Sequence, residues 1–470
     1  MKLSFSKFNF SAARLIVKIC LLCALVLMAA MALTGEYNHH PDEVHHFEAA
    51  KYYKNHFLPP EIGDESVRDS YSVYGVSYLN YHWLEYFVAG KFIFLTAPVI
   101  GNDLLAARFF NVFLFFVLAV FFLYRARSDS NEELVFPCFL LVTPQIWYIF
   151  SYINNDAFAL AASLVTAYQI ANPKSAANEF LQAESFSTRI FGGLIFGALL
   201  GVLLILKTNY YAFLIFAALW LLYRFPVVNL SGSAPKLNFN RLKKFALLTA
   251  VALSILTFRC ALDFYVNGET NFVGLSYVNY FLGNFEDNRS RLLNYQEEVA
   301  AAPYKPSTVE NDLSKTDSAL KLKAKGTSFK DIFRHWRWHE SSFKSFVGVY
   351  GYMNILAPRV YYQLMTLLYV AFGCWFFVSL IRRKQREDIV QALIFLFGFF
   401  LTIFISAYLS WSYAFQAQGR YLFPIIAMAC LLVYSNRRHL NNSIFYAFVG
   451  GGFLASAYSF IFVALARINH

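Results

Sequence analysis

Charge is scarce in this chain. Only 15% of its 470 residues are Asp, Glu, Lys or Arg, where a soluble domain keeps about 25%. Polar-loop cysteine is missing altogether. The six cysteines, Cys20, Cys23, Cys138, Cys260, Cys374 and Cys430, all fall in apolar segments, where they read as small buried apolar residues. Cys20 and Cys23 make a CxxC, but inside an apolar run, without the access and further ligands that redox or zinc chemistry needs. No internal repeat has a clear period, so solenoid and inverted-repeat transporter architectures gain no support. No large soluble domain is recognisable.

What the chain has instead is apolar sequence. It is 58% hydrophobic, with 52 Phe and 31 Tyr, and stretches of about 18 or more apolar residues recur along it, long enough to cross a bilayer as helix. A bilayer interior admits only helices or closed barrels. The runs are continuous rather than alternating, so the expected fold is an all-α integral membrane protein. The spans are placed near Leu15–Thr34, Leu104–Tyr124, Leu134–Phe150, Ala157–Ala171, Ile190–Leu206, Tyr210–Tyr223, Phe245–Val266, Val360–Ile381, Ile389–Leu409, Tyr421–Tyr434 and Ile444–Ala466, about eleven in all.

The net charge of +11 sits largely in short clusters between these runs. Examples are Lys2, Lys7, Arg14 and Lys18 around the start of the first run, then Arg125 with Arg127, Lys243 with Lys244, Arg382 to Arg386, and Arg437 with Arg438. Every second connection is basic. The positive-inside rule makes that face cytoplasmic, with the N-terminus on it, and takes nucleic acid off the list of partners. Residues 1–266 then form an N-terminal bundle, 267–358 an outer loop or helical cap, and 359–470 the last spans. Residues 35–102 form a first outer loop, whose aromatic stretch Tyr78 to Pro98 is expected to lie on the membrane as an amphipathic segment. The cap carries most of the polar sequence, beginning with Glu286, Asp287, Arg289 and Arg291. A loop of that length is usually functional.

Four places on the outer face carry chemistry. After the first span, Asp42, Glu43 and Glu48 stand with His39, His40, His45 and His46. Acidic groups against a bilayer are costly unless used, and a carboxylate there can take a proton from a hydroxyl. Adjacent histidines do not share a helix face, so the cluster is a weak metal signal. Asp156, at the start of a span, can cap its helix, act in the site, or both. Lys207 closes an apolar run on the outer side, where it can snorkel or hold a phosphate as a point charge. Arg420, in Gln418-Gly-Arg-Tyr-Leu-Phe-Pro424, can anchor at the interface or grip phosphate bidentately. Two acidic and two basic sites at one surface are what a phosphate-linked donor needs: a base for the acceptor and cations for the departing phosphate.

Pro41-Asp42-Glu43-Val44-His45, Asn155-Asp156, the Gly201 to Lys207 span end, Ser345 to Gly351 and Gln418 to Pro424 occur in an order that resembles the GT-C superfamily. These polytopic glycosyltransferases include protein O-mannosyltransferases and lipid A aminoarabinose transferases. The resemblance implies an enzyme of the bacterial inner membrane with its site on the periplasmic face. It would move a sugar, with inversion, from a polyprenyl-phosphate donor to an envelope glycan, a glycolipid or, less readily, a protein. It further implies Asp42 as general base with Glu43 beside it, and Lys207 and Arg420 on the donor phosphate. Asp156 and His45 would orient the acceptor or a divalent cation; no cofactor is fixed. The competing readings are a transporter or flippase for a lipid-linked sugar, for which Arg259 and Asp263 are the nearest cue, and a non-catalytic polysaccharide assembly factor.

Overall fold

The computed structural model describes residues 10–81, 83–126, 134–229, 236–270 and 290–469. Lys2, Lys7 and Arg127 of the basic clusters, and Glu286, Asp287 and Arg289 of the cap, lie outside the described residues. The helices are, in chain order, α1 (Phe10–Thr34), α2 (Glu43–Asn55), α3 (Tyr78–Tyr81), α4 (Trp83–Ile100), α5 (Asp103–Arg125), α6 (Val135–Phe139) and α7 (Pro144–Ile149). Then come α8 (Asp156–Ala171), α9 (Ala176–Gln182), α10 (Ile190–Leu206), α11 (Tyr211–Arg224) and α12 (Phe239–Asn267). The cap supplies α13 (Arg291–Val299), α14 (Pro306–Asn311), α15 (Asp331–Arg334) and α16 (Trp338–Gly348). The chain closes with α17 (Arg359–Arg383), α18 (Arg386–Ser412), α19 (Pro424–Ser435) and α20 (Asn442–Ser459). Sheet among the described residues is confined to two hairpins of two-residue strands.

Six helical segments among the described residues are long and apolar enough to cross a membrane: Ala12–Thr34, Asp103–Arg125, Phe239–Asn267, Arg359–Arg383, Arg386–Ser412 and Asn442–Leu465. Asp156–Ala171, Ile190–Leu206 and Gly419–Ser435 are shorter apolar helices. The protein is thus all-α with membrane-spanning character. The run from Leu134 to Phe150 is not one continuous helix. It breaks into α6 and α7 because Pro144 disfavours helical geometry at Thr143, and Thr143 takes an extended conformation and caps α7. The sequence also suggested an amphipathic stretch at Tyr78 to Pro98. Its main helix, α4, is apolar on its outward side, exposing Phe94, Leu95 and Val99.

Local sequence sets the ends. Asn102 accepts from Leu105 N–H at 3.0 Å to start α5, and Asn238 accepts from Arg241 N–H at 3.0 Å to start α12, each satisfying an orphan donor. Packing between α10 and α12 depends on small residues: a Cβ on Gly201 would meet the Ala252 carbonyl oxygen at 2.9 Å, so the two backbones touch. A separate small core joins Phe47, Ala50 and Tyr53 of α2 to Tyr86 and Ile93 of α4 and Phe110 of α5.

The cap is docked, not free. Lys321 N–H donates to Tyr413 O at 2.7 Å, Lys323 N–H to Trp411 O at 2.9 Å, and Phe415 N–H to Ala319 O at 2.8 Å. These bonds pin residues 319–323 to the end of α18.

One buried ion pair fixes the loop between α1 and α2. Arg108, in α5, donates from Nε to Glu43 Oε1 at 2.7 Å and from Nη2 to Glu43 Oε2 at 2.8 Å. It also bonds the carbonyls of Ala32 at 3.0 Å and Glu36 at 2.9 Å. Arg108→Ala would leave a buried carboxylate and several carbonyls unpaired, at a cost of about 3–5 kcal/mol. A depressed unfolding midpoint of the purified protein in detergent is the expected result. Arg68→Ala, at the exposed Arg68–Glu65 pair, should leave the midpoint unmoved.

Candidate active site

Asp42 precedes α2 but does not cap it. An Asp at this position ordinarily spends its carboxylate on the first helical N–H groups. Here Asp42 is left-handed, at φ 57°, with no side-chain cap bond, a conformation that costs energy in a non-glycine residue. The neighbouring Glu43 is held by Arg108, so the strain is imposed from outside. The Asp42 carboxylate consequently faces away from α2, with Oδ2 at 3.5 Å from Arg420 Nη2 and 3.5 Å from the Tyr78 hydroxyl. Burial, and then Asp42 itself, hold the Tyr78 hydroxyl well above its usual pKa, so Tyr78 keeps its proton.

Asp156 is likewise spared from capping. Asn154 Oδ1 accepts from the N–H groups of Asp156 at 2.9 Å and Ala157 at 3.1 Å. The turn into α8 therefore rests on an asparagine, and Asn111 of α5 steadies it by donating to Tyr152 O at 2.6 Å. Fully buried, Asp156 places Oδ1 2.5 Å from Lys207 Nζ and Oδ2 3.6 Å from Arg420 Nη1.

Lys207 is where α10 stops: its extended backbone, φ −156° and ψ 128°, ends the helix. Its ammonium also donates to Asn155 Oδ1 at 3.1 Å and lies 5.4 Å from the Tyr421 ring centre, within cation–π range. Burial lowers the Lys207 pKa from its ordinary value, and Asp156 works the other way.

Arg420 lies in a 3₁₀ turn, Gly419–Leu422. Its Nε donates to Gln418 Oε1 at 2.6 Å. Gly419 is required there, because a Cβ would overlap the backbone nitrogen of Phe346. The two Nη atoms stand between Asp42 and Asp156 at distances longer than the roughly 2.7–2.9 Å of a charge-assisted hydrogen bond. Their donors are therefore only loosely engaged.

The structure thus brings Asp42, Asp156, Lys207 and Arg420 into one cluster from four distant segments. It does not bring in the other two expected residues. Glu43 is fully buried against Arg108 and braces the loop. His45 makes no hydrogen bond or ion pair with any of the four among the described residues. His40 and His46 serve packing: His40 Nδ1 is 3.0 Å from the Tyr148 hydroxyl, and His46 stacks on Tyr78 at 4.1 Å. Among the described residues no three His, Cys, Asp or Glu side chains converge as a metal site would require.

Beside the cluster is a cavity of about 330 Å³, lined in part by Lys207, Arg420, Asn155 and Tyr78 and by a face of α18. Asp42 touches Arg420 but does not line it. Glu85, which sequence reasoning passed over, is buried on α4 with neither carboxyl oxygen hydrogen-bonded among the described residues. Asn155 and Gln418 were missed as partners as well. The available signal for Glu85 was an acidic residue entering an apolar run.

Two cations facing one space should take an anion when their counter-charge is removed. Asp156→Asn is expected to lower the unfolding midpoint and to make it rise more steeply with added inorganic phosphate than the wild type does. A variant no more responsive to phosphate than wild type would show that Lys207 and Arg420 do not share an accessible space. No protein family, curated protein or solved structure matches this chain.

Proposed function

We propose that this protein is an inverting glycosyltransferase. It moves a sugar from a polyprenyl-phosphate donor to an envelope glycan or glycolipid at the outer face of the bacterial inner membrane. The observation that carries the reading is Arg420, whose guanidinium lies loosely between two carboxylates at 3.5 and 3.6 Å, with Lys207 beside it. Such a fork is matched to phosphate, and the adjoining cavity gives a phosphate room to reach both cations. The buried Arg259–Asp263 pair, the nearest cue for transport, has a structural use, since Arg259 also donates to Asn80 O at 2.8 Å.

In the reaction, a carboxylate oxygen of Asp42 takes the proton of the acceptor hydroxyl. The acceptor oxygen attacks the anomeric carbon as the bond from that carbon to the phosphate oxygen breaks. Polyprenyl phosphate leaves with the electron pair, and Lys207 and Arg420 offset its growing charge. No covalent intermediate forms, and the configuration inverts. Asp156 keeps the two cations in place between turnovers. Glu43 acts only by holding the Asp42 backbone. The arrangement has eleven crossings, with the basic connections cytoplasmic and the cluster periplasmic.

Purified protein incubated with a labelled polyprenyl-phosphate sugar and envelope acceptors should release polyprenyl phosphate. Asp42→Asn should slow that release by about 10²–10⁴-fold, the usual worth of a general base. Undiminished release in the variant would remove Asp42 from the chemistry, and movement of the lipid across vesicles without release would favour a flippase. For the topology, single cysteines in a cysteine-free background are decisive. Lys384→Cys should react only with a membrane-permeant thiol reagent, and Asp312→Cys with an impermeant one. Labelling of both from the same side would overturn the eleven-crossing arrangement.

A further inference from the structure

The cavity beside the cluster has a lining of two kinds. One part carries Lys207 and Arg420. Another part of the lining is a face of α18 on which Thr402, Ser406 and Ser410 recur every fourth residue, and Asn209 lines the cavity as well. Residues four apart share a helix face, so the three hydroxyls form a polar strip on a helix that elsewhere exposes Phe397, Phe400 and Phe404.

The strip is not uniformly engaged. Thr402 donates to Gly398 O at 2.8 Å. Ser410 accepts from Trp338 Nε1 at 3.0 Å and donates to Gln416 O at 3.1 Å. Ser406 Oγ and Asn209 Nδ2, by contrast, are buried with no hydrogen-bond partner among the described residues. Buried polar atoms are rarely left so, and each costs free energy when unpaired. Two of them on residues that line the same cavity as two cations suit a ligand with an anionic end and hydroxyl groups.

Resting on the phosphate reading above, we propose that Ser406 and Asn209 are specificity-determining residues that bind ring hydroxyls of the sugar carried on the donor phosphate. The amide of Asn209 donates to a sugar oxygen, and the Ser406 hydroxyl donates or accepts. A cavity near the low end of the ligand-pocket range holds a phosphate and a single sugar ring but not a polyprenyl chain. Leu409 and Tyr413 line the same cavity and are 44% and 61% exposed. They give the chain an apolar way out along α18.

The test uses the full-length protein in detergent. It compares affinity for decaprenyl phosphate with affinity for a panel of decaprenyl phosphohexoses and phosphopentoses. The wild type should bind at least one sugar-bearing lipid about 10-fold more tightly than bare decaprenyl phosphate, a margin of the size hydrogen bonds supply. Ser406→Ala and Asn209→Ala should each reduce that margin while leaving affinity for bare decaprenyl phosphate within about 3-fold. A margin undiminished in both variants, or none in the wild type, overturns the assignment. The underlying reading fails separately: if Lys207→Ala and Arg420→Ala bind bare decaprenyl phosphate as the wild type does, the cations are not a phosphate site and the sugar assignment falls with them.

Discussion

The pair between Arg108 and Glu43 is the constraint from which the outer face is built. Both side chains are withdrawn from solvent, so neither charge is tolerable without the other. The guanidinium makes a bidentate contact with the carboxylate and satisfies carbonyls in the last turn of α1 and in the turn that follows it. That fixes the chain direction into α2 and leaves Asp42 in the left-handed region. A relaxed Asp42 would fold its carboxylate onto its own helix. The strained one presents it to Arg420. An ion pair one residue further along the chain therefore decides which carboxylate is free.

Freedom from capping recurs at Asp156, where Asn154 bonds the helix start. Both acidic groups of the cluster thus escape the use that sequence statistics assign to them. Two carboxylates and two cations leave the cluster without net charge, which suits a site enclosed by apolar helices. The balance is uneven in strength. Lys207 and Asp156 are in close contact at 2.5 Å, whereas Arg420 stands off from both of its carboxylates. One cation of the cluster is thus closely paired and the other is held at longer range.

Much of this was legible in the sequence. Continuous apolar runs gave the helical class, and the four clustered residues stood out as ionisable groups at the ends of such runs. The interruption of the third run was not legible, because apolar length alone does not register the effect of Pro144 on Thr143. Glu43 misled because adjacency to Asp42 suggested a shared task; its partner, Arg108, lies 65 positions away and inside an apolar helix, where sequence pattern does not pair residues. Asn154, Asn209 and Ser406 were not legible. Their importance comes from which of their polar atoms are satisfied, and only three-dimensional neighbours determine that.

Gly419 has a mechanical consequence. With no side chain between them, the turn bearing Arg420 and the last residues of α16 press backbone to backbone. Neither can slide past the other. The cap, through α16, is thereby coupled to the backbone of the turn that bears Arg420, and a tilt of the cap as a body would carry that turn with it like the short arm of a lever.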